Sequence, residues 1–242
     1  MSGAARIFFY NWPIYVATWT GATLAVIAAR RLAIGGTLVT VAAGGAVAWS
    51  AVSLLVSHYI YDRSSLVAGT WVAPLLPARV ARWATIDAGL DAEVALDDAM
   101  PGTCVARLDL FDGDIVRAPS VARARARTPR IHAAIAARAT SLPLADDSCD
   151  VVTVVFTAHE VRTPADRDAF FVELCRVLRR GGRVLLVEHL RDIPNFVAFG
   201  PGFLHFKSRS EWLRLAAHAQ LTVAAERRVT PFVMAMALVK RA

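Results

Sequence analysis

Acidic residues are missing from the start of this 242-residue chain: before Asp62 there is no Asp or Glu, and only Arg6, Arg30 and Arg31 carry full charge. A segment with so little charge has no polar face to turn to water, which excludes an ordinary soluble surface for it. Lysine is nearly absent as well, since Lys207 and Lys240 are the only two, and the net charge of +7 is carried by arginine. No aromatic-basic interleaving and no nucleic-acid motif accompanies that charge, so nucleic acid is not an expected partner and an anionic membrane surface is. Cysteine is scarce: Cys104, Cys149 and Cys175 are odd in number and lack C-x-x-C spacing. A disulfide framework is thereby excluded, and reduced, mostly buried thiols in a cytoplasmic compartment are expected.

What is present in excess is apolar surface: 56% of residues are hydrophobic and the mean hydropathy is +0.44. Residues 8–29 are uncharged, and after Arg30 and Arg31 the run 32–56 is uncharged again. Each is long enough to cross a bilayer core of about 30 Å as a helix. Tyr10, Trp12 and Tyr15 near one end, and Tyr59 and Tyr61 after the second run, suit the headgroup belt. A signal peptide would need one short apolar core and a cleavage site, whereas two full-length runs follow each other here. The expectation is a transmembrane helical hairpin over 1–60, inserted in the cell inner membrane with the rest of the chain in the cytoplasm. Gly36, Thr40, Gly44 and Ala48 form a small-residue stripe every four residues, which the first span would fill, or a second copy of the chain in a homodimer.

Residues 61–79, with Pro74 and Pro77, read as a connector, in part a helix on the membrane surface. From 80 to 242 the hydrophobic period alternates between two and 3.6. Expected strands begin near Val80 and cover Cys104–Leu110, Ile131–Ala136, Val151–Phe156 and RVLLVEHL from Arg183, and two more close the chain. Between them lie expected helices at Glu93–Met100, Pro119–Arg127, Ala165–Leu178 and Ser210–Gln220, with Glu211 as a capping partner. Gly181 and Gly182 are placed to end the third of these helices with positive φ. Strand, helix, strand with short connections forces a right-handed crossover and a parallel α/β sheet.

The central unit, LPLADDSCDVV followed by an amphipathic helix ending ELCRVLRRGGRVLLVE, resembles the second half of a class I S-adenosylmethionine (SAM)-dependent methyltransferase. Leu144, Cys149 and Arg180 stand where that family commonly has Phe, Phe and Pro. The resemblance implies a Rossmann-like seven-stranded sheet with the last strand antiparallel, SAM as cofactor, and a site beyond the carboxyl ends of the strands. It covers about the last two thirds of the chain.

Carried over residue by residue, the resemblance assigns Asp87 and Gly89 to the loop after the first strand, where the family's glycine-rich pattern is otherwise lost. Asp109 and Asp112 qualify for the ribose hydroxyls, each with a solvated turn as the bland alternative. Thr140 and Leu142 fall at the adenine edge, where the family's Asp is replaced by Arg138, Ala139 and Thr140. After the fourth and fifth strands come His159-Glu160 and Glu188-His189, with His205 beyond. His159, Glu160 and His189 are the catalytic candidates, a neutral histidine accepting the acceptor's proton; ion pairs Glu160–Arg162 and Glu188–Arg191 are the bland reading. Two histidines and two glutamates also form a set suited to a divalent metal, although spacing does not show that they converge, and no metal is assigned. The segment 195–206, broken by Gly200, Pro201 and Gly202, is expected as an irregular loop whose Phe196, Phe199, Phe203, His205 and Phe206 line a pocket for a hydrophobic small-molecule acceptor, or pack on the hairpin. Three functions follow: the first is methylation of a lipid-like acceptor such as a quinone, isoprenoid or phospholipid headgroup, and the second a catalytically inactive methyltransferase-like subunit tethered to the bilayer. A metal-assisted group transfer on the same fold is the third.

Overall fold

The computed structural model describes residues 3–33, 35–88, 96–110, 119–127 and 134–241. Helices α1 (Gly3–Leu32) and α2 (Gly36–His58) pack as an antiparallel pair, and a π-helical turn over Tyr59–Arg63 extends α2. Asp62, the first acid of the chain, caps α1: its carboxylate accepts from the backbone N–H groups of Gly3 and Ala4, while His58 Nδ1 lies 2.7 Å from it. An anion at a helix N-terminus satisfies orphan donors and opposes the helix dipole, which explains an acid at this otherwise acid-free end. Both helices are long and apolar enough to cross a membrane. Large apolar side chains such as Ile14, Leu24, Leu38, Val41 and Leu55 are exposed along them. The small-residue stripe does not face α1: a Cβ added at Gly36 or Gly44 would meet nothing within 4 Å. The close approach to the first span expected from the stripe is therefore not what packs the hairpin.

After the short α3 (Ser65–Ala68), the strands β1 (Arg82–Asp87), β2 (Thr103–Asp109), β3 (Ala134–Ala136), β4 (Cys149–Val155), β5 (Leu178–His189), β6 (Leu221–Thr230) and β7 (Val233–Lys240) form one seven-stranded sheet in the order β3-β2-β1-β4-β5-β7-β6. The first five are parallel and β7 runs antiparallel to β5 and β6. The helices of this part are α4 (Leu96–Ala99), α5 (Pro119–Arg127), α6 (Pro164–Val177), α7 (Ile193–Phe199) and α8 (Arg209–His218). The period-two rule is visible in the core. Val152, Val154, Val184 and Leu186 pack with Phe170, Phe171, Leu174 and Trp212 of α6 and α8. Val151, Leu185 and Val187 point to the other face.

That second face is covered by the connector, not by lipid. Ile60, Leu66, Trp71, Val72 and Leu75 are fully buried on it, and Arg183 donates to the Leu75 and Leu76 carbonyls at 2.8 and 3.0 Å. The reading of this stretch as a membrane-surface helix gives way because its apolar residues have a sheet to bury against. Gly181 and Gly182 also serve differently from the expectation. α6 ends at Val177 and the chain turns extended at Leu178, so Gly181 (φ +76°) sits within β5, and a Cβ on Gly182 would lie 2.8 Å from the Arg179 carbonyl. α8 starts one residue earlier than expected, capped by Ser208, whose hydroxyl accepts from Glu211 N–H. The segment 195–206 is not irregular: α7 leads into a 3₁₀ turn over Gly200–His205, with Gly200 at φ +55° marking the joint.

Candidate active site

The carboxyl ends of β4 and β5 meet the end of the hairpin where α1 begins and α2 ends, and a cavity of about 890 Å³ lies between them. Its hairpin wall includes Tyr10, Tyr15, Ser53 and Tyr61; its strand-end wall includes Phe156, His159, Glu160, His189, Phe199 and Phe206. Phe156 closes β4 in a left-handed conformation (φ +49°), unusual for a bulky residue, and turns the chain into the 3₁₀ segment Ala158–Glu160. This turn faces both His159 and Glu160 into one cluster.

Within it, His159 Nδ1 lies 2.6 Å from Glu188 Oε2, a short charge-assisted hydrogen bond, and the His159 N–H also reaches Glu188. His159 Nε2 lies 3.4 Å from Glu160 Oε1, and His205 Nε2 lies 3.3 Å from the same oxygen. Arg162 donates to Glu160 Oε2 at 2.9 Å. Burial alone would push the His159 pKa down, but the Glu188 charge and hydrogen bonds to both carboxylates raise it to about 10. The expectation of a neutral His159 ready to accept a proton does not hold, because two buried carboxylates favour the imidazolium. For Glu160, burial opposes ionisation, yet bonds from His159 and His205 hold its carboxyl far below the usual range. Of the two bland ion pairs, Glu160–Arg162 is present; Glu188 is bound to His159, and Arg191 instead donates to the Phe206 and Leu204 carbonyls.

His189 belongs to a separate, aromatic group. Its ring is sandwiched between Phe156 and Phe206, with centroids 4.7 and 4.8 Å away. Nδ1 is 2.9 Å from the Phe232 carbonyl, which can only accept, so Nδ1 carries the hydrogen and Nε2 accepts from the Tyr61 hydroxyl at 2.9 Å. Burial is the main cause that pushes its pKa down to about 4, with the Phe232 carbonyl working against it. Tyr61 was not among the sequence candidates; its signal was the helical spacing His58-Tyr61-Asp62, three polar groups on one face at the end of an apolar helix.

Of the pocket aromatics, Phe199, His205 and Phe206 line the cavity. Phe196 instead packs edge-on against Trp49 of α2, at 5.5 Å, and against Phe203, at 5.1 Å, while Trp49 Nε1 donates to the Val197 carbonyl at 2.7 Å. The segment therefore turns Phe199, His205 and Phe206 to the cavity and Phe196 to the hairpin.

The cofactor candidates lie along the sheet's other half. Asp87 and Asp109 are register partners at the carboxyl ends of β1 and β2, so two carboxylates stand side by side where they could accept from the hydroxyls of a cis-diol. Asp109 is buried and ion-paired with Arg125 of α5, which orients it. This donor set fits the ribose of SAM. Gly89 and Asp112 lie outside the described residues. Leu142 is buried with its N–H on Glu173 and its carbonyl on Arg176, and Thr140 is an exposed turn residue.

Residues 104–186 match the family model described as a methyltransferase domain. Over 58 residues the chain is 41% identical to the ubiquinone/menaquinone biosynthesis C-methyltransferase UbiE of Geotalea daltonii, a stretch covering 24% of this chain and 23% of that protein's length. In structure it is similar to a SAM-dependent methyltransferase from Aquifex aeolicus (TM-score 0.55, 15% identity, 79% of this chain and 98% of the other). It is also similar to a SAM-dependent methyltransferase from Thermotoga maritima (TM-score 0.51, 16% identity, 76% and 92%). Residues 104–186 thus match a methyltransferase domain, the sheet shares the fold of SAM-dependent methyltransferases, and SAM is the cofactor that such a domain implies.

Proposed function

We propose that the protein is a membrane-anchored, SAM-dependent methyltransferase whose acceptor is a hydrophobic, lipid-like molecule drawn from the bilayer. The observation that carries this reading is the shared cavity: one wall is the apolar hairpin and the other is the carboxyl ends of β4 and β5. A pocket of this kind gives a lipid an apolar path to polar strand-end groups without exposure to water. The exposed apolar surface of α1 and α2 supports insertion in the cell inner membrane, with the α/β domain on the cytoplasmic side where the cofactor is made. A quinone acceptor agrees with the activity named for the Geotalea daltonii protein; an isoprenoid or a phospholipid headgroup fits the same walls.

SAM, when bound, supplies an electrophilic methyl group. The chain's own residues do the rest: Asp87 and Asp109 hold the ribose hydroxyls, the Phe156–His189–Phe206 stack forms a rigid apolar wall, and Phe199 and the hairpin exclude water. What a methyl transfer needs most from a protein is the alignment of its two bound reactants. The test uses the full chain in lipid nanodiscs, methyl-labelled SAM and a membrane lipid extract: label should enter the organic phase, and Ser53→Trp, which fills the hairpin side of the cavity, should abolish that transfer while cofactor affinity is kept. Label that stays with water-soluble products, or transfer untouched by Ser53→Trp, refutes the reading.

A further inference from the structure

The geometry points to a divalent transition-metal site formed by His159 Nε2, Glu160 Oε1 and His205 Nε2, with its open positions toward the cavity. These three ligand atoms lie within 4.8 Å of one another. The individual spacings leave room for an ion within this hydrogen-bonded cluster. A charge-assisted N–H···O bond runs to about 2.7–2.9 Å, and the His159–Glu188 contact at 2.6 Å is clearly of that type. The two histidine contacts to Glu160, at 3.4 and 3.3 Å, are longer and weaker hydrogen bonds than that. They are the separation expected of two ligands on one tetrahedral ion: with metal–ligand bonds of about 2.1 Å, neighbouring ligand atoms stand about 3.4 Å apart.

The surroundings agree. The ion would displace the proton that His159 Nε2 carries in its absence; a ligating histidine characteristically donates its other ring N–H to a carboxylate, as Nδ1 of His159 does to the fully buried Glu188. Glu160 and His159 are buried on the protein side, whereas all three ligands line the cavity. Two imidazoles and one carboxylate are the donor set of zinc and of iron(II), not of magnesium or calcium. Arg162 must move: its guanidinium lies 3.3 Å from His205 Nδ1, a position that needs an N–H when Nε2 is the ligand. Its side chain is 39% exposed and is free to swing from His205 while keeping its bond to Glu160 Oε2. The ion's role rests on the methyltransferase reading: an acceptor hydroxyl on an open position would be acidified and held beside the methyl donor.

The test is metal binding itself. Untagged full-length protein in detergent, stripped with chelator, is titrated with Zn²⁺ by calorimetry and with Co²⁺ by visible absorption, and S-adenosylhomocysteine affinity is measured in parallel. One equivalent of Zn²⁺ should bind, and Co²⁺ should give the intense bands of a low-coordinate N/O site. His205→Ala, at a partly exposed position, and Glu160→Gln should each weaken Zn²⁺ at least about 100-fold, and Glu188→Gln about 10- to 100-fold. S-adenosylhomocysteine affinity should be unchanged in His205→Ala, which also reports that the variant is folded. No Zn²⁺ binding at micromolar concentration, or wild-type binding by His205→Ala, overturns the inference. Loss of the nucleoside with metal binding intact would instead count against the methyltransferase reading alone.

Discussion

His189 makes the stability of this protein depend on pH in a way that can be worked out from its surroundings. The ring is buried between Phe156 and Phe206, with Nδ1 donating to Phe232 and Nε2 accepting from Tyr61. Protonating Nε2 would set a donor against the Tyr61 hydroxyl inside an aromatic sandwich, with the positive charge of His159 nearby and Asp192 giving only partial relief. The pKa accordingly falls from 6.5 to about 4. A depressed folded-state pKa gives stability that is fully present above the unfolded value and lost as the pH falls toward the folded one. By proton linkage the loss is about 2 kcal/mol at pH 5 and about 3 kcal/mol at pH 4. Acid protonates carboxylates as well, so the informative quantity is the difference between wild type and His189→Gln, which cannot titrate. Chemical unfolding in detergent from pH 7.5 to 4.5, followed by tryptophan fluorescence, should find the variant less stable at neutral pH and the gap closing by about 2.5 kcal/mol at the acid end. A gap that stays constant across that range refutes the assignment of His189 as a buried neutral imidazole.

The seam between hairpin and domain rests on Trp49, so Trp49→Ala should lose its bond to the Val197 carbonyl and its contact with Phe196. A loss of about 1–2 kcal/mol is expected, and amide exchange over Ile193–His205 should rise about tenfold; unchanged exchange would place the seam elsewhere. Trp71→Ala removes a fully buried indole from the connector's face of the sheet. It should cost about 3–5 kcal/mol in chemical unfolding, and a near-neutral result would mean that the connector is not part of the core.

The central unit was legible because strands buried on both faces are written as β-branched runs, and Val151 to Val155 and Val184 to Val187 need no long-range information to be recognised. The glycine pair misled for a local reason: Gly181 has the positive φ that a helix stop requires, but Leu178 had already turned extended three residues earlier. The pocket segment misled because Gly200 and Gly202 suggest a break, whereas one glycine joint between two short helices suffices. Around the site, sequence order brought out His159, Glu160 and His189 through their place after strands. It could not assign partners: the bond from Tyr61 to His189 spans 128 positions, and the choice of His159 over Arg191 by Glu188 depends on the turn at Phe156. Least legible was the hairpin's share in the cavity, since nothing in an apolar run tells which of its residues, Tyr15 and Ser53 here, will wall it.

Cofactor binding is the most direct test of a methyltransferase assembled on these strand ends. Calorimetry of the full chain in detergent with S-adenosylhomocysteine should give one site per chain, weakened tenfold or more by Asp109→Ala, since a buried carboxylate facing a diol hydroxyl is then lost. An absence of binding up to millimolar nucleoside, or an affinity indifferent to Asp109, would contradict it and leave a methyltransferase fold that does not use its cofactor.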